Sequence, residues 1–197
     1  MDFFALTDRS EGFYKEKGSK FLSFAYPVSG EEEVKIRIEE LKKEFHDARH
    51  HCYAFRVGLE DPKVRANDDG EPNHSAGDPI LGQIRSFNMT NILVVVVRYF
   101  GGTKLGVSGL INAYKTAAED SLLKAKKKRI FPVVQFEIPF EYNETNEVEK
   151  FLHDKEVEII DRQFDSSCRI KGRIRKEHFN RFSEEAKLAR VRVMIEQ

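Results

Sequence analysis

Residues 92–114 read ILVVVVRYFGGTKLGVSGLINAY, and this stretch decides the fold. Ile92 to Val97 is an apolar run of six residues, four of them valine, which suits a strand covered on both faces. The run ends in Arg98-Tyr99-Phe100, and Gly101, Gly102, Gly106 and Gly109 follow before an amphipathic stretch. Glycines there let the backbone turn tightly, or approach a ligand closely, where a helix presents free N–H groups. Arg98 and Lys104 supply positive charge, and Tyr99 lies beside them, so the segment has the layout of an anion site. Its spacing fits neither the phosphate loop of nucleotide hydrolases nor the dinucleotide-binding fingerprint. The same glycines also suit a sharp strand-to-helix connection with close packing of the helix on the sheet.

Upstream lies Asn67-Asp68-Asp69-Gly70-Glu71-Pro72, with three carboxylates within four residues. Such a cluster can hold Mg²⁺ or serve acid–base chemistry, but neither a full calcium loop nor a metal spacing is present, and no metal site is assigned. Asp-Gly and Glu-Pro are also turn signals. Asp69 or Glu71 therefore either joins the ligand site, bonds nearby backbone N–H groups, or pairs with Arg98. His50, His51, Cys52 and His74 raise zinc or a Cys-His nucleophile. Adjacent strand residues point to opposite faces, however, so His51 and Cys52 do not aim at one metal. Cys52 reads as a small core residue sharing a face with Ala54. No residue is assigned a catalytic role, and no cofactor is implied.

The surrounding pattern predicts an aromatic-rich hairpin over 12–28 about Gly18-Ser19 and a helix over 30–46 opened by a Ser29–Glu32 capping box. It then predicts a strand over 51–59, a polar loop over 60–76, a helix over 79–87 and the buried strand. A helix over 107–127 closes this unit, with Leu110, Ala113, Ala117, Asp120 and Leu123 on one side. Lys124 and the basic residues 126–129 crowd its last turn. Beyond Phe131-Pro132 the order is strand 132–140, helix 143–154, strands 156–164 and 167–175, helix 176–189 and strand 190–195, a ferredoxin-like β-α-β-β-α-β sequence. Asn143 caps the first of these helices, and Phe179, Phe182, Ala186 and Ala189 form the stripe of the second. The expected fold is α+β in two domains, residues 1–129 and 130–197.

Within the second unit Arg169, Lys171, Arg173 and Arg175 alternate with Ile170, Gly172 and Ile174. Period-2 spacing puts the cations on one sheet face, the open one of a ferredoxin-like domain, and an open basic face is a route to RNA backbone. Glu137, Glu156 and Glu158 are placed to neutralise the row across strands.

At 197 residues with 40% hydrophobic side chains, the chain buries a real core. Its 33 basic and 33 acidic residues cancel. There are 21 basic against 19 acidic side chains up to residue 129, and 12 against 14 beyond it. No global charge argument for nucleic acid or membrane follows. No apolar stretch approaches the roughly 18–20 residues of a membrane span, and the N-terminus has no signal pattern. A cytoplasmic protein with free thiols at Cys52 and Cys168 is expected.

Several blocks lie in order along the chain: Lys17-x-Ser19-Lys20-Phe21, Ala48-Arg49-His50-His51-Cys52-x-Ala54, Asp68-Asp69-Gly70-Glu71-Pro72 and Ala76-Gly77-x-Pro79-Ile80-Leu81. Val97 to Gly102, Lys104-Leu105-Gly106, Gly109-Leu110 and Ala113-Tyr114 complete the set. Together they resemble the signature of the YigZ/IMPACT family. The resemblance implies an N-terminal α/β sandwich like the second domain of a small-subunit ribosomal protein. It also implies a C-terminal ferredoxin-like domain similar to one of elongation factor G. No enzymatic activity is established for that family, and the resemblance implies translational control, since eukaryotic members compete for the activator of a starvation-sensing initiation-factor kinase. Those members use an N-terminal RWD domain, and nothing before Gly12 here is expected to form one. The pattern is departed from in three places: His74-Ser75 stands for Gly-Thr, Ser108 for glycine and Asn112 for a basic residue. The expected function is a non-enzymatic regulator that binds RNA, the ribosome or a translation factor. The alternative is an enzyme or sensor taking a phosphorylated small molecule at Gly101 to Gly109.

Overall fold

A computed structural model of the chain describes residues 3–165 and 167–195. The chain is α+β and forms two compact units, Met1–Ile130 and Phe131–Gln197. In chain order the first unit has β1 (Phe3–Leu6), β2 (Ser10–Glu16), β3 (Ser19–Pro27), α1 (Glu31–Glu44), β4 (His50–Val57) and β5 (Lys63–Asn67). Then come α2 (Gly77–Ser86), β6 (Ile92–Tyr99), α3 (Gly106–Lys124) and β7 (Lys127–Ile130). Five strands form one antiparallel sheet in the order β2-β3-β6-β4-β5.

The apolar run is the centre of this sheet, and its alternation explains why every position in it is apolar. Val94 and Val96 face α2 and α3 in a cluster with Phe21, Cys52, Ala54, Ile80, Ile84 and Tyr114. Leu93, Val95 and Val97 face α1 with Phe24, Val34, Ile38 and Leu41. All six residues of the run are fully buried. Helix α1 carries Glu31, Glu32 and Glu33 in its first turn and Lys42 and Lys43 in its last, matching its dipole.

Several local expectations are corrected. Ser29 bonds Glu33, through both its N–H and its hydroxyl, so the capping box with Glu32 does not form. The expected loop over 60–76 contains β5, an edge strand whose sequence KVRAN is polar and exposed, so no apolar alternation announces it. Helix α3 ends at Lys124, and Lys127 to Arg129 lie in β7, paired with β1 as a separate two-stranded sheet. The buried side of α3 holds Leu110, Ala113, Tyr114, Ala117, Ala118, Ser121 and Leu122. Leu123 is 65% exposed instead, and Asp120 accepts the Phe13 N–H.

The second unit has β8 (Val133–Phe140), a 3₁₀ turn over Tyr142–Glu144, α4 (Thr145–His153), β9 (Val157–Gln163), β10 (Cys168–Arg175), α5 (Lys176–Leu188) and β11 (Met194–Ile195). The antiparallel order β11-β8-β10-β9 is the ferredoxin-like arrangement, with β10 central. Phe136, Ile138, Ile170 and Ile174 pack under Phe151, Leu152, Phe182 and Ala186 of the helices. Asn143 lies in the 3₁₀ turn and does not cap α4. Ala189 falls past the end of α5 and is exposed. The last strand is shorter than the expected 190–195, because Arg190 turns the chain at φ 59°. No described helix is long and apolar enough to cross a membrane.

The β2–β3 turn and the end of β6 meet at Gly18 and Gly101. A Cβ at Gly101 would lie 1.9 Å from the Gly18 carbonyl carbon, so the close approach requires glycine. Gly101→Ala is expected to cost about 1–3 kcal/mol by overpacking. Gly82→Ala in α2, where a Cβ meets nothing within 4 Å, is expected to gain about 0.5–1 kcal/mol through helix propensity. Urea denaturation of the two variants checks the opposite signs.

Candidate functional site

Pairing of β4 with β6 sets His50 opposite Arg98, so the start of one strand and the end of the other share a corner of the sheet. The loop after β5 brings Glu71 and Pro72 to this corner, and the segment leading into α3 brings Lys104, Leu105, Gly106 and Val107. These residues, with Arg49, Phe100 and Leu110, line a cleft of about 470 Å³. Of the residues expected at a ligand site, Glu71, Arg98, Lys104 and Gly106 are brought together here.

The floor of the cleft is a buried polar network. Arg98 Nη1 donates to Glu71 Oε1 at 2.5 Å, with 8% and 5% of the two side chains exposed. Tyr114 donates its hydroxyl proton to the same carboxylate at 2.8 Å. The Cys52 thiol lies 3.3 Å from the Tyr114 oxygen and 2.9 Å from the Asp68 carbonyl. Burial pushes the Cys52 thiol and the Tyr114 phenol well above their ordinary pKa values, so both remain protonated and neither is a nucleophile at neutral pH. The guanidinium of Arg98 also sits 5.5 Å from the Phe21 ring and 5.7 Å from the Phe100 ring. Phe21 in turn meets Tyr114 edge-on. Arg98 Nε, however, has no acceptor among the described residues.

The acidic loop is occupied by its own backbone. Asp68 accepts N–H bonds from Gly77 and Ala76 on Oδ1 and from His74 on Oδ2. Burial alone would raise its pKa, but these bonds from Gly77, His74 and Ala76 outweigh it and hold the value below 3.8. Asp69 accepts the His51 N–H at 2.6 Å, and its carbonyl lies 2.8 Å from His50 Nδ1. Asp69 therefore anchors the loop to β4 and does not line the cleft. Among the described residues, no three His, Cys, Asp or Glu side chains converge as a metal set.

At the mouth the balance reverses. Arg49 and Lys104 are exposed and make no ion pair among the described residues. Helix α3 begins at Gly106 with no side-chain cap and no acidic residue in its first turn, so its N–H groups and dipole favour an anion. Gly106 has φ +72°, which turns the chain into the helix at this point.

Other expected contacts lie elsewhere. Tyr99 is on the opposite face of β6, where its hydroxyl donates to Asp47 at 2.6 Å. This bond, with partial burial, pushes its pKa up to about 12. Gly101 supports the β2–β3 turn and donates its N–H to Ser19 Oγ. A Cβ at Gly109 would press on Leu105, and Gly102 is exposed outside the cleft lining. Arg49, His50 and Phe100 were not singled out as contacts from the sequence. The adjoining β4 motif and the exposed aromatic at the strand end were the signals for them.

The cationic row of the second unit is paired on its open face. Glu137 lies 3.9 Å from Arg169 and 3.6 Å from Lys171. Arg173 forms a two-pronged bond with Glu158, at 2.9 and 2.6 Å. Arg175 lies 3.7 Å from Glu177 and stacks 3.8 Å from the Phe131 ring centre. Glu156 pairs with His178 instead.

A sheet covered by helices on both faces, with a cationic cleft at one corner and a ferredoxin-like unit following, defines a two-domain α+β protein. Residues 17–122 match the Impact N-terminal domain. The chain is 33% identical over 150 residues to IMPACT family member YigZ of Escherichia coli, covering 75% of this chain and 74% of that one. It is 28% identical over 184 residues to IMPACT family member YvyE of Bacillus subtilis, covering 92% and 84%. A crystal structure described only as that of a hypothetical protein aligns with a TM-score of 0.70 at 26% identity, covering 100% of this chain and 98% of the other. The chain belongs to the IMPACT family.

Glu71→Ala strands the Arg98 charge and is expected to cost about 3–5 kcal/mol, whereas Glu71→Leu combined with Arg98→Met recovers most of the loss. Chemical denaturation of the single and double variants measures the coupling. For Asp68 the folded pKa is depressed, so its stabilisation is present above the unfolded value and is lost as pH falls through the folded one. Asp68→Asn is expected to lower the Tm at pH 7, with the gap to wild type closing below pH 3.8, as followed by thermal melts across pH.

Proposed function

We propose that this protein is a translation-associated regulator that acts by binding, and that the cleft of its first unit engages RNA phosphate groups, free or on the ribosome. The observation that carries this reading is the uncapped start of α3 beside Arg49 and Lys104, two cations with no acidic partner among the described residues. A helix N-terminus flanked by unopposed cations is a site for phosphate. Family membership supports the translational setting, through the control of translation that the resemblance attaches to eukaryotic members. The paired row on β10 is the weaker surface, since a phosphate there competes with Glu137 and Glu158.

A second reading, a phosphorylated small molecule, is favoured by the confined volume of about 470 Å³ and the apolar wall of Pro72, Leu105 and Val107. A thermal-shift screen with nucleotides and phospho-metabolites, in the absence of RNA affinity, selects that reading.

Wild type is expected to bind RNA at low ionic strength with a steep salt dependence. The double variant Arg49→Gln, Lys104→Gln is expected to reduce the slope of log K against log salt by about 1.4, for two lost phosphate contacts on a single strand. Fluorescence anisotropy at several salt concentrations gives both slopes. An absence of RNA affinity in wild type, or equal slopes, rejects the assignment.

A further inference from the structure

We infer that the cleft accepts a single unpaired nucleotide unit, a nucleoside phosphate whose base lies on Phe100 and whose phosphate meets the start of α3. This rests on the reading that the cleft binds phosphate, and it names what accompanies the phosphate. Phe100 is the residue that the strand end projects, and it remains 55% exposed although it lines a cleft. Val107, in the first turn of α3, is 52% exposed in the same lining. A site for phosphate alone requires neither. An aromatic ring beside an anion site matches the two halves of a nucleotide, a flat π surface joined to a charged group. In a duplex the bases are stacked among themselves, so this wall would meet only sugar and phosphate.

A second feature is independent of the helix end. Arg98 is more than nine-tenths buried in the wall of the same cleft, with 8% of its side chain exposed. Only one of its donors is committed to Glu71, and Nε has no acceptor among the described residues. Nε itself is enclosed, so what Arg98 gives the cleft wall is a guanidinium locked by Glu71, a fixed positive charge beside the strand end that carries Phe100. The volume of about 470 Å³ fits one such unit within the usual range of small-ligand sites.

The test uses the full chain, with anisotropy of a labelled single-stranded oligoadenylate, the corresponding RNA duplex, and adenosine monophosphate and ribose 5-phosphate as competitors. Wild type is expected to prefer the single strand. Phe100→Ala is expected to lower single-strand affinity about tenfold and to leave duplex affinity unchanged, because stacking is lost while the cations remain. Phe100→Trp is expected to restore it. Phe100 is on the surface, and equal melting temperatures confirm that the variants fold. Competition by adenosine monophosphate but not by ribose 5-phosphate supports the base contact. Equal affinity for single strand and duplex, or no effect of Phe100→Ala, overturns the inference. If that binding still falls in Arg49→Gln, Lys104→Gln, the phosphate reading survives without it. Phe100-dependent binding of adenosine monophosphate without RNA affinity keeps the nucleotide site and identifies free nucleotide as its source.

Discussion

The buried pair of Arg98 and Glu71 is the interaction on which the first unit depends. It joins the end of the central strand to the loop after β5, and Tyr114 extends it into α3. Three segments distant in sequence thus converge on one carboxylate oxygen. Such a pair adds little stability over an apolar equivalent, but its halves cannot be separated without leaving a charge in a low-dielectric site. The consequence is register. With Arg98 fixed, Phe100 and the glycines that follow emerge at one place, and α3 begins where the cleft requires.

The loop Asp68 to Gly77 illustrates the same economy of acidic groups. Asp68 closes the entry to α2 by accepting three backbone N–H groups, Asp69 fixes the loop to β4, and Glu71 neutralises Arg98. Each carboxylate has a structural partner within hydrogen-bonding distance, and none is left to oppose Arg49 or Lys104. The cleft is electropositive at its mouth because the acids nearest to it are already paired.

Much of this was legible in the sequence where one side chain's environment is local. The both-faces-buried strand follows from six consecutive apolar residues, and the hairpin about Gly18 and the ferredoxin-like order follow from alternation and turn residues. Elements without an apolar signature escaped it. The edge strand β5 is polar, and β7 is a run of lysines that reads as a helix end until its partner β1 is known. The site was half legible. Pairing of Glu71 with Arg98 was among the alternatives, and so was neutralisation of the β10 row. The placement of Tyr99 on the far face required only strand alternation from Arg98. By contrast, Arg49 and His50 reach the cleft through the β4–β6 register, which no local pattern contains.

The residues through which the chain resembles its family now have physical roles, and those roles point to a shape. Ser19 and Gly101 hold the β2–β3 turn against the strand end, Phe21 lies under the Arg98 guanidinium, and Tyr114 binds Glu71. All of these build the floor and flanks of one cleft. Cys52 and Tyr114, which lie beneath it, are held protonated by burial. The three departures from the family pattern fall elsewhere. His74 is exposed and pairs with Asp78, Ser75 is buried and donates its hydroxyl to the Pro72 carbonyl, and Ser108 and Asn112 are exposed on the first two turns of α3. None of these positions lines the cleft, and the buried pair that positions it is left intact. The signature residues thus encode the support of the cleft, and the departures fall outside its lining.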